Sequence, residues 1–213
     1  GSDNLFLLDG VPIYQVSHLG GLFSSFNTDV IENIDFYKSG FPARFGGKMS
    51  SVVDITTRDG NFYDYHGTFA IGLIDGHLQF EGPIVKGKTS FNVGLRRTWI
   101  ETISEPILYF FNKENQPDKL TLGYSFSDLN AKVTHKFSPK NTLRGSFYMG
   151  RDVFRYKQYN FSEYYQVGED GVAEIHRQQE NDMGIPMNWG NTLGSLDWKW
   201  DISDQLSMNV AAY

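Results

Sequence analysis

The chain has 213 residues, 40% of them hydrophobic and 15% aromatic, with 22 Gly, 7 Pro and no Cys, which excludes a disordered or low-complexity tract. The 19 Lys and Arg against 25 Asp and Glu leave a formal net charge of -6, the wrong sign for a nucleic-acid binder. Without Cys there is no disulfide framework, thiol catalysis or Cys-ligated zinc.

Residues 1–60 read as short mixed α/β pieces. The apolar run Leu5 to Leu8 is followed by the turn Asp9-Gly10 and by Val11 to Tyr14. Asn27 and Thr28 are N-cap types, Asp29 suits a first turn, and Val30, Ile31 and Ile34 share one helical face, so a short helix is predicted there. Ile34 to Tyr37 then reads as a strand, the stretch 39–47 carries too many turn formers to continue it, and Ser51 to Thr57 is β-branched enough to form the next.

From about residue 65 onward the signal is period two. Leu196, Trp198 and Trp200 alternate with Ser195, Asp197 and Lys199, and Leu129, Ala131 and Val133 with Asn130, Lys132 and Thr134. The same pattern runs through 68–73, 91–96, 143–149 and 206–212, which predicts about seven strands joined as hairpins. Tight connections fall at Asp75-Gly76, Lys86-Gly87, Pro139-Lys140 and Asp204-Gln205, and long loops are expected over 101–120 and 158–191. Three of the tight turns fall on one rim, while both long loops fall on the other with Asp75-Gly76. Together with long strands over 121–157, that is the pattern of an outer-membrane barrel. No stretch approaches the roughly 20 apolar residues of a spanning helix, which excludes a helical membrane protein and leaves a β-barrel open. Tyr148, Trp198, Trp200 and Tyr213 lie near strand ends and are predicted to form interfacial girdles. A soluble antiparallel sandwich would show the same alternation and is the alternative. Seven strands cannot close a barrel, so the chain reads as part of a longer protein.

Four pieces, in order, carry a resemblance: Asn4-Leu5-Phe6-Leu7-Leu8-Asp9-Gly10-Val11-Pro12-Ile13-Tyr14, Asp29 to Gly40, Pro42-Ala43-Arg44-Phe45-Gly46-Gly47, and Ser50 to Thr57. Together they resemble the plug domain of TonB-dependent outer-membrane receptors. The Pro42 to Gly47 form, with Glu81-Gly82-Pro83-Ile84, Ser90-Phe91 and Arg96-Arg97-Thr98, is similar to the SusC-like branch common in Bacteroidetes-type bacteria. The resemblance implies a mainly β fold: an incomplete mixed α/β plug over 1–60, then, over 61–213, about seven antiparallel strands of a barrel of about 22 strands whose lumen must be plugged. It further implies active uptake of a nutrient (oligosaccharide, peptide or chelated metal) across a Gram-negative outer membrane, with no catalysis and no cofactor. The implied partners are the TonB-ExbB-ExbD energy-coupling complex, the lipid bilayer and a SusD-like surface lipoprotein.

Within that frame Arg44 stands where relatives have a plug arginine that pairs with barrel glutamates. An Arg in a watery lumen can fork carboxylates and hold the plug in a register that force can break. Arg96 and Arg97 are adjacent on one strand, so one points inward as a candidate plug-barrel lock and the other toward lipid or rim. Tyr14 and His18 lie near the expected plug apex as candidate substrate contacts. Tyr164, Tyr165 and Trp189 belong to the expected loop 158–191, where aromatics suit a contact surface. Gly46-Gly47-Lys48 lacks the spacing of a phosphate loop, the five His form no metal-binding pair, and no nucleophile, base and orienter come together, so neither an enzyme nor a metal site is expected.

Overall fold

The computed structural model describes residues 4–13, 17–18, 23–24, 26–38, 51–114, 119–167, 173–203 and 206–212. Almost all of them are in strands. The chain divides into two compact units, one of Gly1–Arg97, Ser127–Arg151 and Gly190–Tyr213, the other of Thr98–Phe126 and Asp152–Trp189.

The first unit contains a small mixed sheet built from β1 (Asn4–Leu8), β2 (Val11–Pro12), β5 (Ile31–Tyr37) and β6 (Ser51–Thr57), in the order β2-β1-β6-β5. β1 pairs antiparallel with β2 and parallel with β6, and β5 pairs antiparallel with β6. The β1–β2 turn uses Asp9 and Gly10, both at positive φ (48° and 83°), as the Asp-Gly pair allows. Two further two-residue strands, β3 (Ser17–His18) and β4 (Phe23–Ser24), pair with each other.

The predicted helix after Asn27 is a single 3₁₀ turn, Thr28–Val30. The capping chemistry is present, because the Asn27 side chain accepts from the Asp29 amide at 3.1 Å. Ile31 is already extended at ψ 135°, and the backbone from Ile31 to Tyr37 pairs with β6 instead of winding on. Tertiary pairing overrides a weak local preference here. Among the described residues, 4–60 contain no α-helix.

A seven-stranded sheet follows, made of β7 (His66–Ile71), β8 (Asp75–Val85), β9 (Thr89–Thr98), β10 (Lys119–Ser138), β11 (Asn141–Val167), β12 (Ala173–Ser203) and β13 (Leu206–Ala212). Its strand order is strictly sequential, the meander that the alternation predicts. The turns at Lys86-Gly87 and Pro139-Lys140 fall where expected, whereas Asp75 and Gly76 already belong to β8 and the β7–β8 connection is 72–74. Asp204-Gln205 lies outside the described residues, and the two long loops are not found as such. The first is the helix α1 (Ile100–Glu114), which runs through Pro106. The second is strand wherever it is described, because β11 and β12 extend to 27 and 31 residues. Residues 159–167 carry Tyr and Phe of high β-propensity without an apolar and a polar face, so alternation cannot register them as strand.

In the first unit the four-stranded sheet lies on one face of β8–β12. Leu8, Ile13 and Ile55 pack with Tyr148 of β11, flanked by Phe6, Phe26, Ile31, Val53 and Leu193. Tyr148 is therefore a core residue at 3% exposure and not a girdle residue. Trp198 and Trp200 stack at 5.8 Å near the Ser203 end of β12, with Trp200 exposed, and Tyr213 lies outside the described residues.

The second unit is organised around Thr98, Tyr124, Phe126 and Asp152, all buried. The Tyr124 hydroxyl donates to Asp152 at 2.7 Å and the Phe126 amide donates to the Thr98 hydroxyl at 2.9 Å. Ser104 of α1 donates to the Glu101 or Leu122 carbonyl, each at 3.1 Å.

Gly94 of β9 marks how closely the 3₁₀ turn approaches the seven-stranded sheet, since a Cβ there would sit 2.4 Å from Val30 Cγ1. Gly94→Ala is expected to cost about 1–3 kcal/mol of stability by overpacking, read as a lower thermal midpoint. Unchanged stability would mean that the turn does not sit against β9.

Candidate functional site

The strands of the first unit are inside out relative to a soluble sheet. On the face toward the four-stranded sheet, Ser90, Asn92, Lys132 and Thr134 are 0–4% exposed, while on the opposite face Leu95, Val133 and Met149 are each 44% exposed. Polar side chains are thus the buried ones, and each needs a partner.

They find partners in the chain leaving β6. Lys132 Nζ donates to the Thr57 carbonyl at 2.7 Å, Asn92 Nδ2 to the Arg58 carbonyl at 3.1 Å, and Ser90 Oγ to the Asp59 carbonyl at 2.6 Å. Three successive carbonyls are therefore each bound by a side chain of β9 or β10. Gln79 of β8 orients Asn92 by donating to its Oδ1 at 2.9 Å. Gly60 ends the segment at φ 88°, where a Cβ would meet the Phe91 carbonyl oxygen at 2.3 Å, so no other residue fits.

Charge is concentrated at the same place. Asp59 is held by Arg144 of β11 in a fork, Nε to Oδ1 at 2.8 Å and Nη2 to Oδ2 at 3.1 Å, and it accepts from Thr134 at 3.0 Å. Lys132 lies 3.5 Å from Asp59 and 3.5 Å from Asp9. Asp9 in turn accepts from the Thr57 amide at 2.9 Å and the Thr57 hydroxyl at 2.5 Å, which ties the β1–β2 turn to the end of β6. Arg58 donates to Glu81 of β8 at 3.1 Å and to the Asp29 carbonyl, and Asp29 shares a hydrogen bond with His77 of β8. Asp9, Asp59 and Glu81 thus meet Arg58, Lys132 and Arg144, three carboxylates against three cations. Burial pushes the Asp59 carboxyl up, but the Arg144 hydrogen bond, the charges of Lys132 and Arg144 and the Thr134 hydroxyl outweigh it, so the group titrates below its ordinary 3.8.

This anchor differs from the one the sequence suggests. Arg44 and Tyr14 lie outside the described residues. His18 is placed only by its backbone in β3. Arg96 and Arg97 point to opposite faces as alternation requires. Arg96 is largely buried and pairs with Asp128, directly across from it on β10, while Arg97 is exposed. Tyr164 and Tyr165 are exposed on β11 and Trp189 is exposed on β12, in strands and not on a loop. The structure does not bring these aromatics together. Gly184 of β12 lies beside Tyr156 and Lys157 of β11, which sets Trp189 about a dozen residues from Tyr164, roughly 40 Å along the strands.

Asp59, Arg58, Lys132 and Arg144 do not stand out in the sequence as site residues. The one signal is that Lys132 and Thr134 fall on the polar set of a strongly alternating strand, but alternation alone reads such a set as solvated.

No family profile matches the chain, and no curated protein matches it. Among solved structures it is similar to the siderophore receptor PirA from Pseudomonas aeruginosa, at 14% identity and a TM-score of 0.45 over 99% of this chain and 39% of that one. It is also similar to the siderophore receptor PirA from Acinetobacter baumannii, at 12% identity and a TM-score of 0.43 over 94% and 38%. The chain thus spans less than two fifths of either protein.

Asp59→Asn should remove the charge that Arg144 and Lys132 share, at a cost of roughly 1.5–3 kcal/mol. Hydrogen exchange at 57–60 should then speed up, and exchange as slow as in the parent would show that the fork does not anchor the segment. Because the Asp59 carboxyl titrates below 3.8, its contribution should be complete above that value and lost only as pH falls through the lower folded-state value. A loss of protection at 57–60 centred near neutral pH would contradict this assignment.

Proposed function

We propose that the chain is the plug-bearing part of a TonB-dependent transporter in a Gram-negative outer membrane. In this reading 1–60 belongs to the plug and 61–213 to the first strands of the barrel. The observation that carries the proposal is the inverted face pattern: a sequential antiparallel sheet with an apolar, exposed outer face and a polar inner face packed on a small mixed sheet. A soluble sandwich would bury the apolar face instead. Barrel strands in lipid need the pattern seen here, because hydrocarbon surrounds them and the lumen is polar.

The anchor at 57–60 suits such a role. A plug must stay in the lumen at rest and yield to force, and a seam of side-chain-to-carbonyl bonds and ion pairs does both. Arg44 would add the family's own lock, with partners outside 1–213. Arg96 holds β9 to β10, a wall-strengthening task, and Arg97 lies on the opposite face of β9. The cargo is a nutrient, either an oligosaccharide, a peptide or a chelated metal, recognised with contributions from Tyr14, His18, Tyr164, Tyr165 and Trp189. Energy comes through TonB-ExbB-ExbD, and the SusC-like motifs 42–47 and 81–84 add a surface lipoprotein as partner.

Two measurements on the full-length protein test the proposal. Unheated samples in detergent should migrate differently from boiled ones on a gel, and uptake by cells should fall to background when the inner-membrane proton gradient is collapsed. A protein that shows no band shift and stays monodisperse in plain buffer would overturn the reading.

A further inference from the structure

We infer that the rim formed by the β8–β9 and β10–β11 turns is a binding surface for anionic phospholipid headgroups, a proposal that rests on the membrane reading above. The rim is continuous through backbone and ring contacts. The Gly87 amide donates to the Phe62 carbonyl at 2.8 Å, and the Lys136 amide donates to the Lys88 carbonyl at 2.7 Å, so the β8–β9 turn, β10 and the segment after Gly60 meet. The Lys136 ammonium lies 4.0 Å over the Phe62 ring. Further along, the Asp201 amide donates to the Lys140 carbonyl at 2.7 Å and Trp198 Nε1 donates to Asn141 at 2.6 Å, which joins the β10–β11 turn to β12.

Two kinds of side chain line this rim. Tyr63, Tyr65, Phe137 and Trp200 are exposed there, at the edge of the apolar outer face, where interfacial aromatics are expected. Lys86, Lys88 and Lys140 are exposed in the turns beside them, while Lys136 and Lys199 are exposed on the polar face of β10 and β12. Among the described residues the carboxylates of the rim are the exposed Asp64 and the half-buried Asp201, while Asp59 is turned inward to Arg144. Among the described residues the rim is therefore net positive, in a chain whose formal charge is -6.

A lysine level with an aromatic belt, at the boundary of an apolar band, is placed to meet a lipid phosphate while its stem covers apolar surface. Short turns face the periplasm in this class of barrel, so the lipid is an anionic phospholipid of the periplasmic leaflet. The continuity of the lysines with the apolar face favours a bilayer over an acidic protein.

The test uses the full-length protein in bilayers of equal parts phosphatidylcholine and phosphatidylglycerol, with native mass spectrometry of the lipids that stay bound after extraction. The parent should retain phosphatidylglycerol in preference by about tenfold or more. The triple variant Lys86→Gln, Lys88→Gln, Lys140→Gln should retain both lipids about equally, and raised salt should erode the parent's preference toward the same point. Equal retention by the parent, or a preference that survives both the variant and the salt series, would overturn the inference. The salt series needs no variant, so a failure of the triple variant to fold leaves the question decidable. The heat-dependent band shift of the same samples separates the two proposals: insertion without lipid preference refutes this one alone, and absence of insertion refutes the membrane reading.

Discussion

The constraint on which the rest depends is that the seven-stranded sheet buries its polar face. In water the polar side of a strand costs nothing to leave exposed. Under another sheet, every donor and charge on it must be answered or the burial is unfavourable by kilocalories per group. The four-stranded sheet answers in two ways. Toward β1 and β2 it offers Leu8, Ile13 and Ile55 to Tyr148. At the end of β6 it offers carbonyls and carboxylates, and there Ser90, Asn92, Lys132, Thr134 and Arg144 converge. Neither half alone would satisfy the wall, since an apolar sheet would strand Lys132 and Arg144, and a polar one would give Tyr148 nothing to pack on.

Much of this architecture is legible in the amino-acid sequence. Period-two alternation locates strands at 66–71, 89–98 and 206–212 and puts Lys132 and Thr134 on one face, Val133 on the other. The Asp9-Gly10 turn and the Ser51–Thr57 strand follow from turn chemistry and β-branching. What alternation cannot say is which face is buried. It separates the two sides of a strand and is silent about what each side meets, so Tyr148, taken as a girdle residue from its place near a strand end, is core instead.

The remaining differences between sequence and fold have separate causes. The segment 158–191 reads as a loop because neither side of it is apolar, yet a strand held by backbone pairing to its neighbour does not need an apolar face. Helix α1 is masked by Pro106, although Ile100, Ile103, Ile107 and Phe110 keep a helical spacing across it. After Asn27 the helix signals are real but last one turn, because Ile31 and the residues after it have strand partners on β6. The anchor itself is invisible for a different reason. On the β6 side it is mostly backbone, and a carbonyl carries no residue-specific signal.

The chemistry of that seam bears on how it comes apart. When an apolar contact opens, both surfaces meet water unfavourably and tend to find other apolar surfaces. The stretch 57–60 leaves behind only carbonyls, hydroxyls, an amide and paired charges, all of which water solvates well. Its opening exchanges one set of hydrogen bonds for another at modest net cost, and the exposed halves have no reason to stick elsewhere. Such a joint can be broken and remade many times without collecting misassembled states, which an equally firm hydrophobic joint could not offer.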